Sequence, residues 1–97
     1  MTVADQLVET WLEFATALRM KKGFNDEQYQ HLQSALKELA TEWADLDHLP
    51  RDVVNVLVDV FPVMESNAGV YTGELKEKIM DAAFSLHDLV QECVALK

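Results

Sequence analysis

Cysteine, glycine and proline are scarce in this sequence of 97 residues, which contains one, three and two of them. A lone Cys93 can form neither an internal disulfide nor a paired-cysteine zinc site, and this favours a reducing, cytoplasmic setting. Asn55, Asp59 and Glu65 interrupt the longest apolar runs well short of the roughly 20 residues that a membrane-spanning helix needs. We therefore expect one soluble helical domain over residues 1–97, with no membrane partner.

Basic residues are also scarce in this sequence. The chain has 8 Lys and Arg residues against 17 Asp and Glu residues, which gives a net charge of −9. A surface that binds nucleic acid needs a footprint of Lys and Arg, so we expect no direct nucleic-acid partner. The acidic excess is concentrated in residues 25–48, which contain six acidic residues and only one basic residue.

Apolar residues recur at intervals of three and four, which is the spacing of one face of an α-helix. These rows predict helices near residues 3–22, 26–46, 50–66 and 73–96. The first three rows are Leu7, Trp11, Phe14 and Leu18, then Tyr29, Leu32, Leu36, Leu39 and Trp43, then Val53, Leu57, Val60 and Met64. The fourth row is the longest and consists of Leu75, Ile79, Ala82, Leu86, Leu89, Cys93 and Leu96. Short connections favour antiparallel neighbours, so the predicted fold is an all-α, up-and-down antiparallel four-helix bundle.

Capping residues support the predicted helix starts. Thr2, Asn25 and Thr72 stand where a side-chain oxygen can accept from a free N–H of the first turn. Phe24 and Tyr29 occupy the two positions of a hydrophobic staple around the second start.

Residues 50–66 are the ambiguous segment. Its valines favour a strand, but Asp52, Asn55 and Asp59 are spaced by three and four and so share one helical face. A lone strand would also have no partner elsewhere in the chain, which favours the helix. Pro62 should kink or end this helix, because proline has no backbone N–H and its ring clashes with the preceding turn.

Helical spacing gathers the carboxylates of the second helix on one face, away from its apolar row. Glu38, Glu42 and Asp45 belong to this face together with Glu27, and Asp47 and Asp52 continue it beyond the helix. A charged face of this kind is most often simply solvated. As a functional surface, it would attract a basic protein.

Phe84 is the second candidate for binding. It lies opposite the apolar row of the last helix, on a face that also carries Glu77, Asp81 and Asp88. An aromatic side chain with a polar rim is typical of a binding anchor. The alternative explanation, which is favoured because isolated exposed apolar residues are common, is that Phe84 packs against another helix or a loop, or fills a homodimer contact.

Motifs for catalysis are sparse. His31, His48 and His87 all lack the preceding Glu that the Glu-x-x-His motif of di-iron bundles requires, so we expect no metal and no other cofactor. The segment Glu42-Trp-Ala-Asp45 resembles the Glu-x-x-Asp element of the MazG-like nucleotide pyrophosphatases, all-α enzymes whose carboxylates hold Mg²⁺. That family also has a Glu-x-x-Glu pair on an earlier helix.

The pyrophosphatase pattern is incomplete in this sequence. The nearest earlier pair is Glu9 and Glu13, which are spaced by four instead of three. The leading hypothesis is therefore a protein without catalytic activity, in which an acidic surface binds a basic protein. Its concrete form is an immunity or antidote protein that neutralises a basic, nuclease-like toxin or another nucleic-acid-binding protein. The alternatives are a structural homo-oligomeric bundle and a MazG-like pyrophosphohydrolase, and the expected assembly is a monomer or weak homodimer.

Overall fold

The computed structural model describes residues 2–95 and contains four α-helices and no strand within that range. The helices are α1 (Val3–Arg19), α2 (Asp26–Trp43), α3 (Arg51–Ala68) and α4 (Gly73–Val94). The all-α prediction is confirmed, and the valine-rich segment is helical. Leu96, the last residue of the predicted fourth row, lies outside the described residues.

Two of the three expected caps form side-chain hydrogen bonds. The Thr2 hydroxyl accepts from the N–H of Asp5 at 3.1 Å, and the Asn25 side chain accepts from the N–H of Gln28 at 3.0 Å. Thr72 occupies the cap position of α4 without a capping bond. The staple before α2 is present as an edge-to-face pair, with 5.2 Å between the ring centroids of Phe24 and Tyr29.

The first helix ends earlier than the sequence predicted, at Arg19 instead of residue 22. Lys21 adopts a left-handed conformation (φ 60°), and its N–H bonds to the carbonyl of Leu18 while the N–H of Lys22 bonds to that of Ala17. This is a Schellman motif, which satisfies the last carbonyls of a helix. The position usually holds glycine, so the sequence pattern pointed to Gly23, two residues further on.

The third helix does not end at Pro62 but continues through it to Ala68. Proline removes the bond that residue 62 would donate to the carbonyl of Val58, one turn earlier. Both residues are exposed, so water can reach that carbonyl. The segment then contributes Met64, Asn67 and Ala68 to the core, and this burial holds the helix together beyond the proline.

The helices run alternately up and down, but not every pair of consecutive helices packs side by side. In the described residues α1 packs on α2 and α3, and α4 packs on α2 and α3, while the backbones of α2 and α3 are not adjacent. The connection 44–50 therefore crosses a diagonal, contrary to the expectation that each short link joins neighbours. Its seven residues can span about 23 Å, more than the diagonal of roughly 14 Å between helices packed 8–10 Å apart.

The predicted apolar rows meet along the axis of the bundle. The largest fully buried side chains are Phe14, Leu18, Leu32, Leu36, Leu39, Met64, Ile79 and Leu86. All eight belong to the rows that the spacing identified. The prediction of which face of each helix is buried is therefore confirmed. Because one face of each helix is buried, the opposite faces of α2 and α4 point outward, and these faces carry the candidate residues.

Leu86 tests the core directly. It is 1% exposed, and Leu86→Ala should lower the free energy of unfolding by about 2–5 kcal/mol through lost burial and a cavity. Leu12→Ala is the control, since Leu12 is 57% exposed and its truncation should change stability by less than about 0.5 kcal/mol. Urea unfolding followed by circular dichroism measures both. Equal effects of the two substitutions would contradict the buried position of Leu86.

Polar side chains from the end of α3 and the following turn hold α1 in place. The Asn67 amide, 6% exposed, donates to the carbonyl of Ala15 at 3.2 Å. The Tyr71 hydroxyl donates to the carbonyl of Leu18 at 2.8 Å and accepts from the N–H of Gly23 at 3.2 Å. These bonds join the C-terminal ends of α1 and α3, which shows that the two helices run parallel.

Tyr71→Phe should lower the free energy of unfolding by about 1–3 kcal/mol, because it leaves a backbone N–H and a carbonyl without their partner. Tyr29→Phe is a matched control, since within residues 2–95 the Tyr29 hydroxyl bonds only to the side chain of Gln33. We expect it to change stability by less than about 0.5 kcal/mol. Chemical denaturation of the two variants makes the comparison, and a larger loss in Tyr29→Phe would rule out the proposed role of Tyr71.

Candidate interaction surface

The carboxylates predicted on and after the second helix lie at or near one end of the bundle. Glu38 borders the groove between α1 and α2, and Glu42 follows one turn later. Asp45 and Asp47 line a recess at the end of the bundle, and Asp52 lies in the first turn of α3. All five side chains are exposed. Glu27, the remaining member of the predicted face, lies at the other end of α2.

The topology adds two carboxylates to this group that sequence reasoning missed. Asp5 lies in the first turn of α1, and Glu92 lies in the last turn of α4. Glu92 borders the same groove between α2 and α4 as Asp45. Their proximity follows from the parallel pairing of α2 with α4, which local spacing does not reveal. We call the whole set the acidic end; it comprises Asp5, Glu38, Glu42, Asp45, Asp47, Asp52 and Glu92.

Charge is segregated along the bundle, which measures 42 × 25 × 19 Å. In the described part of the chain the acidic end carries seven carboxylates, and Lys37 and Arg51 are the only basic residues among them. At the opposite end, five carboxylates are balanced by five cations, which are Arg19, Lys21, Lys22, Lys76 and Lys78. The described part of the molecule therefore has one negative end and one nearly neutral end.

Internal ion pairs do not neutralise the acidic end. Within residues 2–95 the only ion pair joins the Lys78 ammonium to Asp26 at 2.9 Å, at the opposite end. Glu42 and Glu92 also lie in the last turns of α2 and α4, where the helix dipole disfavours negative charge. Neither turn contains a basic residue. Glu42 and Glu92 therefore oppose folding slightly, whereas Asp5 and Asp52 lie in the first turns of α1 and α3, where the dipole favours them. In residues 2–95 none of the seven carboxylates is paired with a basic side chain, so they can attract an external cation.

The face of α4 that carries Phe84 borders α3 on one side and α2 on the other. Phe84 is 56% exposed, and its ring lies 5.3 Å from that of Phe61 on α3. Asp81, by contrast, lines a groove shared with Asp26 and Tyr29 of α2. Asp88 lies two turns after Asp81, on the same side of the helix. The aromatic ring therefore leans toward α3, and these carboxylates flank it on the side toward α2.

The two candidate groups are linked through the groove between α2 and α4. Asp45 and Glu92 meet there, and Asp88 is one turn before Glu92 on α4. Asp81 and Glu77 continue the acidic line toward the other end, and both are exposed. The fold thus connects the acidic end to the carboxylates beside Phe84 along one side of the molecule.

The fold does not place the two carboxylate pairs of the MazG-like resemblance, Glu9 with Glu13 and Glu42 with Asp45, next to each other. No group of three or more His, Cys, Asp or Glu side chains suited to hold a metal occurs in the part of the chain that the structure describes. Glu13 accepts from the Gln28 amide at 3.3 Å, which sets the register of α1 against α2. From this register, Glu9 lies about 15 Å along the bundle from Glu42, given a rise of 1.5 Å per residue. The two carboxylate pairs cannot share one Mg²⁺.

Comparisons with protein-family models, with curated proteins and with solved structures found no match to this chain. None of the helices in the described range is both long and apolar enough to cross a membrane. Inference about function therefore depends on the surface of the bundle and its charges.

Cys93 is buried in the core, as its position in the apolar row predicted. Its thiol donates to the carbonyl of Leu36 at 3.3 Å. Burial, and then the neighbouring Glu92 carboxylate, raise the pKa of the thiol from 9.0 to about 11. The reactive thiolate is therefore rare at neutral pH.

Modification of Cys93 by a disulfide reagent should be slow in the native protein at pH 8, where about one thiol in a thousand is ionised. The rate should rise as the pH approaches 11, because deprotonation supplies the nucleophile. The same chain in concentrated guanidinium chloride is the control and should react rapidly. Equal rates in the folded and unfolded states would show that the thiol is accessible and its pKa ordinary.

Proposed function

We propose that this chain is a non-catalytic protein-binding module whose acidic end engages a basic protein. In its most concrete form, it is an immunity or antidote protein that covers the cationic surface of a nuclease-like toxin or another nucleic-acid-binding protein. A cytoplasmic setting is part of the proposal, since the lone buried thiol suits a reducing compartment.

The observation that carries the proposal is the set of seven exposed carboxylates at one end, without an ion pair among them in residues 2–95. A surface that binds a nucleic acid presents cations spaced to meet phosphates. A rigid array of carboxylates can occupy the same cations and so exclude the nucleic acid. Five of the seven carboxylates lie on helices, which hold the backbone of these residues in place and so limit the entropy lost on binding.

The segregation of charge adds a kinetic argument. A protein with one negative end has a field that turns that end toward a cationic partner during approach. Electrostatic steering of this kind raises association rates and is weakened by salt. Rapid capture matters for an antidote, which must bind its toxin before the toxin reaches its target.

A structural homo-oligomer is the second candidate, favoured by the exposed large apolar side chains of the bundle. Leu12, Val58 and Phe84 are each more than half exposed. In this case the protein would have a dimeric mass in light scattering, and Phe84→Glu would halve it. A monomeric mass for the wild-type chain would leave the hetero-partner proposal as the better explanation.

Reversing Glu38, Glu42 and Asp45 to Lys should slow association with the basic partner and flatten its salt dependence, since exposed charges act mainly on the encounter rate. Folding should be nearly unchanged, because exposed charges contribute little to stability. The partner is first captured from the native lysate on the immobilised chain and identified by its mass. Surface plasmon resonance at two salt concentrations then gives the rates.

The matched control reverses Asp59, Glu65 and Glu74 to Lys, which changes the net charge equally but lies outside the acidic end. We expect this control to slow association much less. Capture of acidic and basic proteins alike, or equal losses in the two triple variants, would show that the acidic end serves solubility only.

A further inference from the structure

The outer surface shared by α3 and α4 contains two rows of mostly apolar side chains that the bundle covers only in part, since Val54, Phe61 and Met80 are half-buried against the core. On α3 the row consists of Val54, Val58 and Phe61, and on α4 it consists of Met80, Phe84 and His87. Val58 and Phe84 are each 56% exposed. Each row has the spacing i, i+4, i+7 and lies on one helical face.

Aromatic contacts fix the two rows against each other. The ring of Phe61 lies 5.3 Å from that of Phe84 and 5.4 Å from that of His87. Since α3 and α4 are antiparallel, the remaining members of each row extend from this contact in opposite directions along the shared surface. We call the combined surface the aromatic groove; it comprises Val54, Val58, Phe61, Met80, Phe84 and His87.

The dimensions of the aromatic groove match one face of an incoming helix. Because the two rows are staggered, this surface extends about 10 Å from Phe61 toward Val54 and about 8 Å the other way toward Met80, given a rise of 1.5 Å per residue. An amphipathic helix of three to four turns has this length and presents apolar anchors at i, i+3 or i+4, and i+7 along one face. A helix of another protein can therefore lie on the two rows, with its side-chain ridges packed into the grooves of α3 and α4.

The negative charge beside the aromatic groove favours a basic helix over a second copy of this chain. Glu77, Asp81 and Asp88 line the α4 edge of the aromatic groove, all of them exposed. A second copy of this chain would bring the same carboxylates and a net charge of −9 to the interface. In contrast, an amphipathic helix with Lys or Arg beside its apolar face would pair with these carboxylates.

We propose that the aromatic groove is the docking site for a basic amphipathic helix of the partner, with Phe84 as the main anchor. This inference rests on the proposed function, from which it takes a basic partner, and it names the element that the partner presents. The acidic end governs the encounter, while the aromatic groove supplies the desolvated contact that slows dissociation.

The test uses a synthetic helical peptide of about four turns, with leucines on one face and lysines on the other. Binding is measured by fluorescence anisotropy and mapped by amide chemical shifts of the labelled full chain. We expect the shifts to centre on residues 54–61 and 80–88. Phe84→Ser should raise the Kd of the peptide at least about tenfold, as expected for an anchor side chain.

Leu12→Ser is the matched control, because Leu12 is 57% exposed but lies in the groove between α1 and α3. It should leave the Kd unchanged. A peptide with glutamates in place of the lysines should not bind. Circular dichroism of each variant checks that the fold is retained.

Three results would overturn the inference. They are no binding of the lysine peptide, an equal loss in Leu12→Ser and Phe84→Ser, and a wild-type homodimer that Phe84→Glu dissociates. The last result would identify a second copy as the occupant. The first two outcomes leave the proposed function untouched, since that function depends on the effect of the acidic end on association with the captured basic protein. The homodimer would instead favour the structural homo-oligomer over the proposed function.

Discussion

The attachment of α1 to α3 is the constraint on which the arrangement of this bundle depends. The link 44–50 crosses the diagonal, so no short connection holds α3 beside α1, and side-chain contacts must do so. Asn67 and Tyr71 provide them by bonding to the backbone of Ala15, Leu18 and Gly23. Such bonds are directional, and they set both the parallel orientation and the register of the two helices.

The parallel pairing has a direct electrostatic consequence. It places α2 beside α4 with the same orientation, so that the last turns of both helices lie at one end with the connection 44–50. Glu42, Asp45, Asp47 and Glu92 consequently meet there although they belong to distant parts of the sequence. A meander with α2 beside α3 would have separated the carboxylates of α2 from Glu92. The acidic end is thus a product of the topology as much as of the composition.

Most of the secondary structure and the core could be predicted from spacing alone, because a buried face of a helix repeats every three or four residues. This rule identified Leu86 as buried and Phe84 as outward-facing, and both have these positions. The end of α1 was missed because Lys21 adopts a conformation usually reserved for glycine. The place of Glu92 beside Asp45 was missed because it depends on which helices are neighbours, and local patterns contain no such information.

The acidic end and the aromatic groove have different physical roles in the proposed complex. Carboxylates exposed to solvent act over a distance and control how fast the partner arrives. The rings of Phe61 and Phe84 act only on contact and control how long it stays. A single chain of modest size can in this way combine rapid capture with a long-lived complex.

The most direct test of this account is a map of amide chemical shifts of the labelled chain in complex with its captured basic partner. We expect the largest changes in residues 38–52, in residues 77–92 and around Phe61, with little change in the groove between α1 and α3. Changes centred on Leu12, Val56 and Val63, which line that groove, would contradict the assignment of the acidic end as the binding surface.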